Sequence, residues 1–326
     1  MWTIIFVSFL DRMTNQYKST KDHIPSIKLR GYERVGYPAP ELFGVRLPVN
    51  LLTFNLCKTQ RDVFLHVTGH SMPETWERYY GRVIHTLYQE ILSNILKIVG
   101  ANSIGSLDLG SSLTNLRNTI LASSLRKHRD VLKKVKALFE SSELETLQAK
   151  LKSDMEKIFC YEKGLSSALV NFELSSLYNQ SSGNPLFQKT FALSAGESYN
   201  AHVLGFTNPV TPDFRYKNDV VGDIKTGPWR DYYYHTLTAY ALSIEAHTRS
   251  PVDCGIILHV QILDRTVPIH ELARFEVIDD FKRKRFLMIR DEKLRVAKEK
   301  VDPGRPVSSK ECEGCGFYNH CWEDQM

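Results

Sequence analysis

Residues 211–240, TPDFRYKNDVVGDIKTGPWRDYYYHTLTAY, constrain the fold most, because turn signals bracket a short β-branched run and so set its length and pairing. Residues 220–226 read as a strand closed by Gly227-Pro228. Side chains alternate along a strand, so Asp223 and Lys225 share one face and Ile224 takes the other. Residues 213–216 join this strand through Lys217-Asn218-Asp219, a hairpin turn by composition. With a three-residue loop, Asp213 lies directly opposite Asp223. Facing carboxylates destabilise a strand pair unless something positive sits between them. A divalent cation meets that need, and hard oxygen ligands suit magnesium or manganese.

Two acids and a lysine on one edge match metal-assisted attack of water on a phosphodiester. The acids hold the ion, the ion acidifies a water, and the lysine positions that water or offsets charge developing on the phosphate. This is the logic of the PD-(D/E)XK nucleases. The competing reading is a surface hairpin with solvated charges, since Asp-x-Lys is short and common.

The 326 residues give room for one large domain or two ordinary ones, with 42% hydrophobic and 24% charged residues as in soluble globular proteins. A net charge of +5 permits nucleic-acid binding without demanding it. The apolar residues 1–10 are too short to span a bilayer and lack signal-peptide flanks, so they read as a buried helix or strand. The protein is expected to be cytoplasmic, with no membrane association. No G-x4-G-K-[ST] phosphate loop occurs, so the chain has no recognisable ATPase.

Residues 1–50 read as an N-terminal wrap, irregular over 14–48. Residues 51–99 hold a helical pattern around Cys57 that places Leu52, Leu56, Val63 and Phe64 near one side, then a helix over 73–99. On that helix Gly81 and His85 share a face, and an interior glycine invites close approach to the backbone. Residues 100–180 read as a helical insertion or lid with an apolar stripe of Leu132, Val135, Leu138 and Phe139. Lys133, Lys134 and Lys136 lie away from the stripe, as a solvated face or one that tracks a phosphate backbone.

From 181 to 300 the pattern turns to strands over 185–193 and 202–205, the hairpin, a helix over 229–248, and strands over 255–262 and 267–277. Asp279 and Asp280 cap a basic helix running to about Lys300. This order predicts an α/β core with a mixed central sheet flanked by helices.

Residues 301–326 form a C-terminal module containing ECEGCGFYNHCW. Cys312, Cys315 and Cys321, in a C-x2-C-x5-C arrangement, argue for metal ligation over disulfides. Zinc wants a fourth ligand, such as His320 or a remote cysteine. A [4Fe–4S] cluster wants four thiolates, with Cys57, Cys160 and Cys254 available.

Gly81-x3-His85, Pro212-Asp213, Asp223-Ile224-Lys225 and a helix ending in Ala239-Tyr240, with one cysteine before and three after, follow a recognisable order. The chain resembles the RecB-like branch of the PD-(D/E)XK nucleases, in its iron–sulfur members. Within them it resembles the fourth CRISPR-associated family, of the archaeal Csa-one type, whose first cysteine precedes an Arg-Asp like Arg61-Asp62. The resemblance runs from about Leu51 to Trp322.

The resemblance implies a [4Fe–4S] cluster on Cys57, Cys312, Cys315 and Cys321. It implies Mn²⁺ or Mg²⁺ on His85, Asp213, Asp223 and the Ile224 carbonyl, with Lys225 as the catalytic lysine. It assigns Tyr240, and with it Thr236 and Arg61, to placing the DNA strand. The family usually carries glutamine four residues before the tyrosine, where Thr236 stands. Such proteins trim single-stranded DNA ends before a CRISPR integrase inserts them as spacers. Two rivals remain: a RecB-like repair nuclease, and a DNA-binding or assembly subunit of the integration complex.

Overall fold

The computed structural model describes residues 13–17, 25–33, 40–54, 57–101, 108–178, 193–216, 219–262, 269–312 and 315–322. The expected N-terminal apolar element at 1–10 lies outside them, and the expected strand over 185–193 reaches them only at its last residue. A five-stranded sheet has the order β1-β2-β3-β4-β5, formed by Leu193–Ser194, Phe214–Tyr216, Val220–Lys225, Cys254–Ile262 and Ile269–Val277. Three pairings are antiparallel, but β3 and β4 are parallel, from Val220 beside Cys254 to Lys225 beside His259. A parallel neighbour needs a crossover, here the helix Tyr233–Thr248. The mixed, helix-flanked sheet matches the expectation.

The other helices are α1 (Val49–Thr53), α2 (Arg61–Val67), α3 (Trp76–Ala101), α4 (Leu109–Arg126), α5 (Arg129–Lys136) and α6 (Ser141–Tyr178). The crossover is α7, followed by α8 (Asp280–Glu299) and α9 (Tyr318–Trp322). Alternation along β3 sends Val220 and Ile224 into a core with α3, α4 and α6, and Val221 into a second core with α7. A third core joins α1, α7 and α8. The sheet is thus covered on both faces.

Asp279 caps α8 by accepting a hydrogen bond from Lys282 N at 2.9 Å, and Lys300 ends the helix in a left-handed conformation. Four expectations change. Residues 202–205 form a 3-10 turn instead of a strand, because Asn200 Oδ1 accepts the His202 N–H and Gly205 closes the turn at φ 85°. The crossover helix starts at Tyr233 instead of 229. The pattern around Cys57 breaks into two helices, with Gln60 left-handed ahead of α2. Leu138 is 60% exposed, because α5 ends at Lys136, before that position can turn inward.

Candidate active site and cysteine cluster

The hairpin register pairs Phe214 with Gly222 and Tyr216 with Val220, so the loop holds three residues and Asp213 falls opposite Asp223. The Phe214 ring covers Gly222, where an added Cβ would come within 2.2 Å of ring carbons. An aromatic over a glycine leaves one snug register, and here that register sets the two carboxylates face to face.

Asp213 is buried and saturated. Its Oδ2 accepts the Ile224 N–H at 2.7 Å, while Oδ1 accepts from Gln89 Nε2 at 3.1 Å and lies 3.1 Å from His85 Nδ1. Asp223 is 1% exposed. Lys225 Nζ pairs with its Oδ2 at 2.7 Å, and no other described residue donates to this buried oxygen. Lys225 Nζ also sits 5.0 Å from the centre of the Tyr233 ring on α7.

These surroundings split the two acids. Burial alone would raise the pKa of Asp213, but the charge and hydrogen bond of His85 and the Ile224 N–H outweigh it and hold the carboxyl below its usual range. Burial, reinforced by the Asp213 charge, pushes Asp223 up against the pull of Lys225. Burial opposes a charged His85, yet the Asp213 charge prevails and its pKa rises. Tyr240 is raised well above the usual phenol value by burial and then by the charges of Asp223 and Asp213, so it stays a proton donor beside the acids.

The fold therefore brings His85, Asp213, Asp223, Lys225 and Tyr240 into one neighbourhood. Thr236 is buried one turn before Tyr240, its Oγ1 without a hydrogen-bond partner among the described residues. Gln89 was not singled out from the sequence, although its place one turn after His85 was the available signal. A Cβ on Gly81 would sit 3.6 Å from Thr226 Oγ1, an ordinary van der Waals distance, so the end of β3 does approach this helix but does not require a glycine there.

Arg61 lies elsewhere. It forks onto Asp302 at 3.0 and 2.9 Å and bears on Cys321, tying α2 to the C-terminal segment. Cys315 N–H donates to Cys312 O at 2.9 Å, and Cys321 follows on α9. Burial pushes the Cys315 thiol up to about 11, with the charges of Cys57, Asp62 and Cys312 adding to it. Burial likewise raises Cys321, against Arg61 and with Cys57 and Cys312. Cys57 thus lies within electrostatic reach of the C-terminal cysteines, whereas Cys160 is exposed on α6 and Cys254 is buried in β4. His320 packs edge-on to His70, ring centres 5.0 Å apart.

Among the described residues no group of three or more His, Cys, Asp or Glu side chains is closed up as a metal site. The donor chemistry nonetheless fits both implied groups. The facing Asp223 and Asp213 carboxylates and the His85 imidazole suit a hard divalent ion, and the thiols of Cys57 and Cys312, each within electrostatic reach of Cys315 and Cys321, suit a thiolate-bound cluster.

The fold and site define an α/β protein whose central strand β3 presents an acid and a lysine to a second acid before β2 and a histidine on α3. The CRISPR-associated exonuclease Csa1 family model matches residues 2–324, and the chain belongs to that family. A CRISPR-associated exonuclease Csa1 of Saccharolobus solfataricus (strain ATCC 35092 / DSM 1617 / JCM 11322 / P2) is 28% identical over 268 residues, covering 81% of this chain and 82% of the relative. This makes the protein a CRISPR-associated nuclease. No solved structure matches. Among the described residues no helix is long and apolar enough to cross a membrane.

Proposed function

We propose that this protein is a PD-(D/E)XK, RecB-like DNA exonuclease that depends on Mn²⁺ or Mg²⁺, carries a [4Fe–4S] cluster and trims single-stranded ends for CRISPR spacer acquisition. The observation that carries the reading is the pair of buried carboxylates set face to face, Asp213 and Asp223, with Lys225 at 2.7 Å from Asp223 Oδ2. Two buried acids facing each other are costly unless positive charge answers both, and Lys225 answers one of them.

His85, Asp213, Asp223 and the Ile224 carbonyl would hold the ion. A divalent ion bound there acidifies water and polarises the scissile phosphate. Asp213, kept ionised by His85 and by the Ile224 N–H, supplies a fixed negative charge. Lys225, steadied between Asp223 and the Tyr233 ring, aims a positive charge at the developing phosphate charge. Tyr240 offers a phenol proton for a strand oxygen. Cys57, Cys312, Cys315 and Cys321 would hold the cluster and join the start of α2 to the C-terminal segment. The expected partners are single-stranded DNA and a CRISPR integrase.

The test is cleavage of labelled single-stranded DNA by the wild type, Asp223→Asn and Lys225→Ala, with and without Mn²⁺. The expected result is metal-dependent shortening lost by at least about 10²-fold in both variants, with DNA affinity retained. Equal cleavage by wild type and variants would refute the assignment. Anaerobically purified protein should be brown with about four irons per chain; a colourless protein holding one zinc would remove the cluster.

A further inference from the structure

Two short segments of the chain are strongly basic, residues 126–136 and residues 281–290. Residues 126–136, RKHRDVLKKVK, hold six Lys/Arg against one Asp, a surplus of five that equals the net charge of the whole chain, +5. Residues 281–290 carry five Lys/Arg and no acid, but Arg283 and Arg290 are buried and Lys282 pairs with Glu276, whereas all six cations of 126–136 are exposed to a polyanion.

The fold ties that segment to the candidate active site. The turn between α4 and α5 is pinned to α3 twice. Thr86 Oγ1 and His128 Nε2 lie 2.8 Å apart, and Lys127 Nζ stands 2.6 Å from Glu90 Oε1, which also accepts from Ser123 Oγ at 3.2 Å. Thr86 and Glu90 immediately follow His85 and Gln89, the two α3 side chains that touch Asp213. Burial first, then the charges of Arg82, Lys127 and His85, lower the pKa of His128, consistent with a ring seated among these groups as a neutral tether. Arg126, Arg129, Lys134 and Lys136 are exposed and form no ion pair with a described residue. Asp130, the segment's one acid, is paired with Lys133 at 2.8 Å.

We propose that the α4–α5 turn and the outer face of α5 form a phosphate-binding clamp that holds the backbone of a nucleic-acid strand entering the site. Four cations along one turn and one helix, tethered through the residue next to His85, grip a strand without reading its bases. The occupant is a single nucleic-acid strand, because the clamp belongs to the helical insertion and offers spaced cations in place of an apolar seat. This inference rests on the nuclease reading above.

The experiment measures binding of fluorescein-labelled oligo(dT) by anisotropy in EDTA, across a salt series, for the wild type and R126Q/R129Q/K134Q/K136Q. The expected result is weaker binding and a smaller logarithmic salt slope, reduced by about 0.7 for each phosphate no longer neutralised and by up to roughly 3 for four. An unchanged slope and affinity in the variant would overturn the clamp alone. Failure of the wild type to bind DNA would remove the nuclease reading and the clamp with it. A variant that binds DNA normally but no longer binds poly-glutamate would assign the face to an acidic protein partner, again overturning it. Should the fourfold variant melt early, R126Q/R129Q and K134Q/K136Q replace it, each expected to remove about half of the effect.

Discussion

Helix α7 serves two buried ionic clusters that are finished very differently. Near its C-terminal end, Glu245 is fully buried and its carboxylate accepts five donors: Arg30 Nη1 at 2.7 Å, Gly31 N at 2.7 Å, Val252 N at 3.0 Å and both Arg283 Nη atoms at 2.8 and 3.0 Å. Arg283 completes its own shell on the carbonyls of Ile278, Val252 and Leu29. Nearer its start, α7 sets the Tyr233 ring against Lys225, which pairs with Asp223 as the one donor to its Oδ2 among the described residues. A saturated cluster is complete as folded, and this one clasps residues 29–31 to the core so closely that a Cβ on Gly31 would meet Leu242 O at 1.9 Å. An unsaturated cluster is complete only when something binds. Glu245 thus reads as a structural charge and Asp223 as a chemical one, while Asp213 is satisfied by its protein neighbours and still faces Asp223.

The largest way to break the contrast is on the saturated side. Glu245→Gln strips the charge from a carboxylate that answers two buried guanidinium groups. It should cost about 3–5 kcal/mol, the range for halving a buried pair. Urea unfolding checks this, and a loss below about 1 kcal/mol would remove the structural reading of the cluster.

His235, also on α7, gives a pH-dependent test. It is 2% exposed, its Nδ1 has no hydrogen-bond partner among the described residues, and burial followed by the charges of Arg285 and Lys293 lowers its pKa to about 4. A histidine depressed from 6.5 binds protons more readily unfolded, so its contribution is present above pH 6.5 and is lost as pH falls toward about 4. The loss amounts to at most roughly 3 kcal/mol. His235→Phe should flatten the fall in melting temperature across that window, and identical profiles would discount the histidine.

Asp223→Asn should move stability and activity in opposite directions. Neutralising a carboxyl that burial has already raised relieves its desolvation, so stability rises by about 1 kcal/mol while cleavage collapses. If the variant is less stable than wild type, Asp223 belongs with Glu245 as a structural acid.

The unsaturated cluster was more legible in the sequence than the saturated one. A three-residue loop sets a hairpin register by counting, so Asp213 opposite Asp223 followed from Lys217-Asn218-Asp219 alone. The cap at Asp279 was equally local. The Glu245 cluster was not read, because Arg30 and Glu245 are 215 residues apart and no local spacing signals their meeting. The parallel pairing of β3 with β4 depends on the α7 crossover packing, not on a turn, so periodicity indicated the strands but not their relative direction. Short turns such as 202–205 and broken helices such as the one around Cys57 depend on single φ choices at Gly205 and Gln60, which hydropathy does not register.

The smallest expected effect sharpens the contrast most finely. Thr236 Oγ1 is a buried polar atom without a hydrogen-bond partner among the described residues, at the position where the resembled family places glutamine. Thr236→Val keeps the shape and removes the hydroxyl. If that hydroxyl waits for a strand, as the facing acids wait for an ion, the variant gains up to about 1 kcal/mol in urea unfolding and loses several-fold in affinity for single-stranded DNA. Stability that rises with unchanged affinity would place Thr236 among packing residues. That result would confine the unsaturated, chemically active cluster to the edge of β3 and its α3 partners.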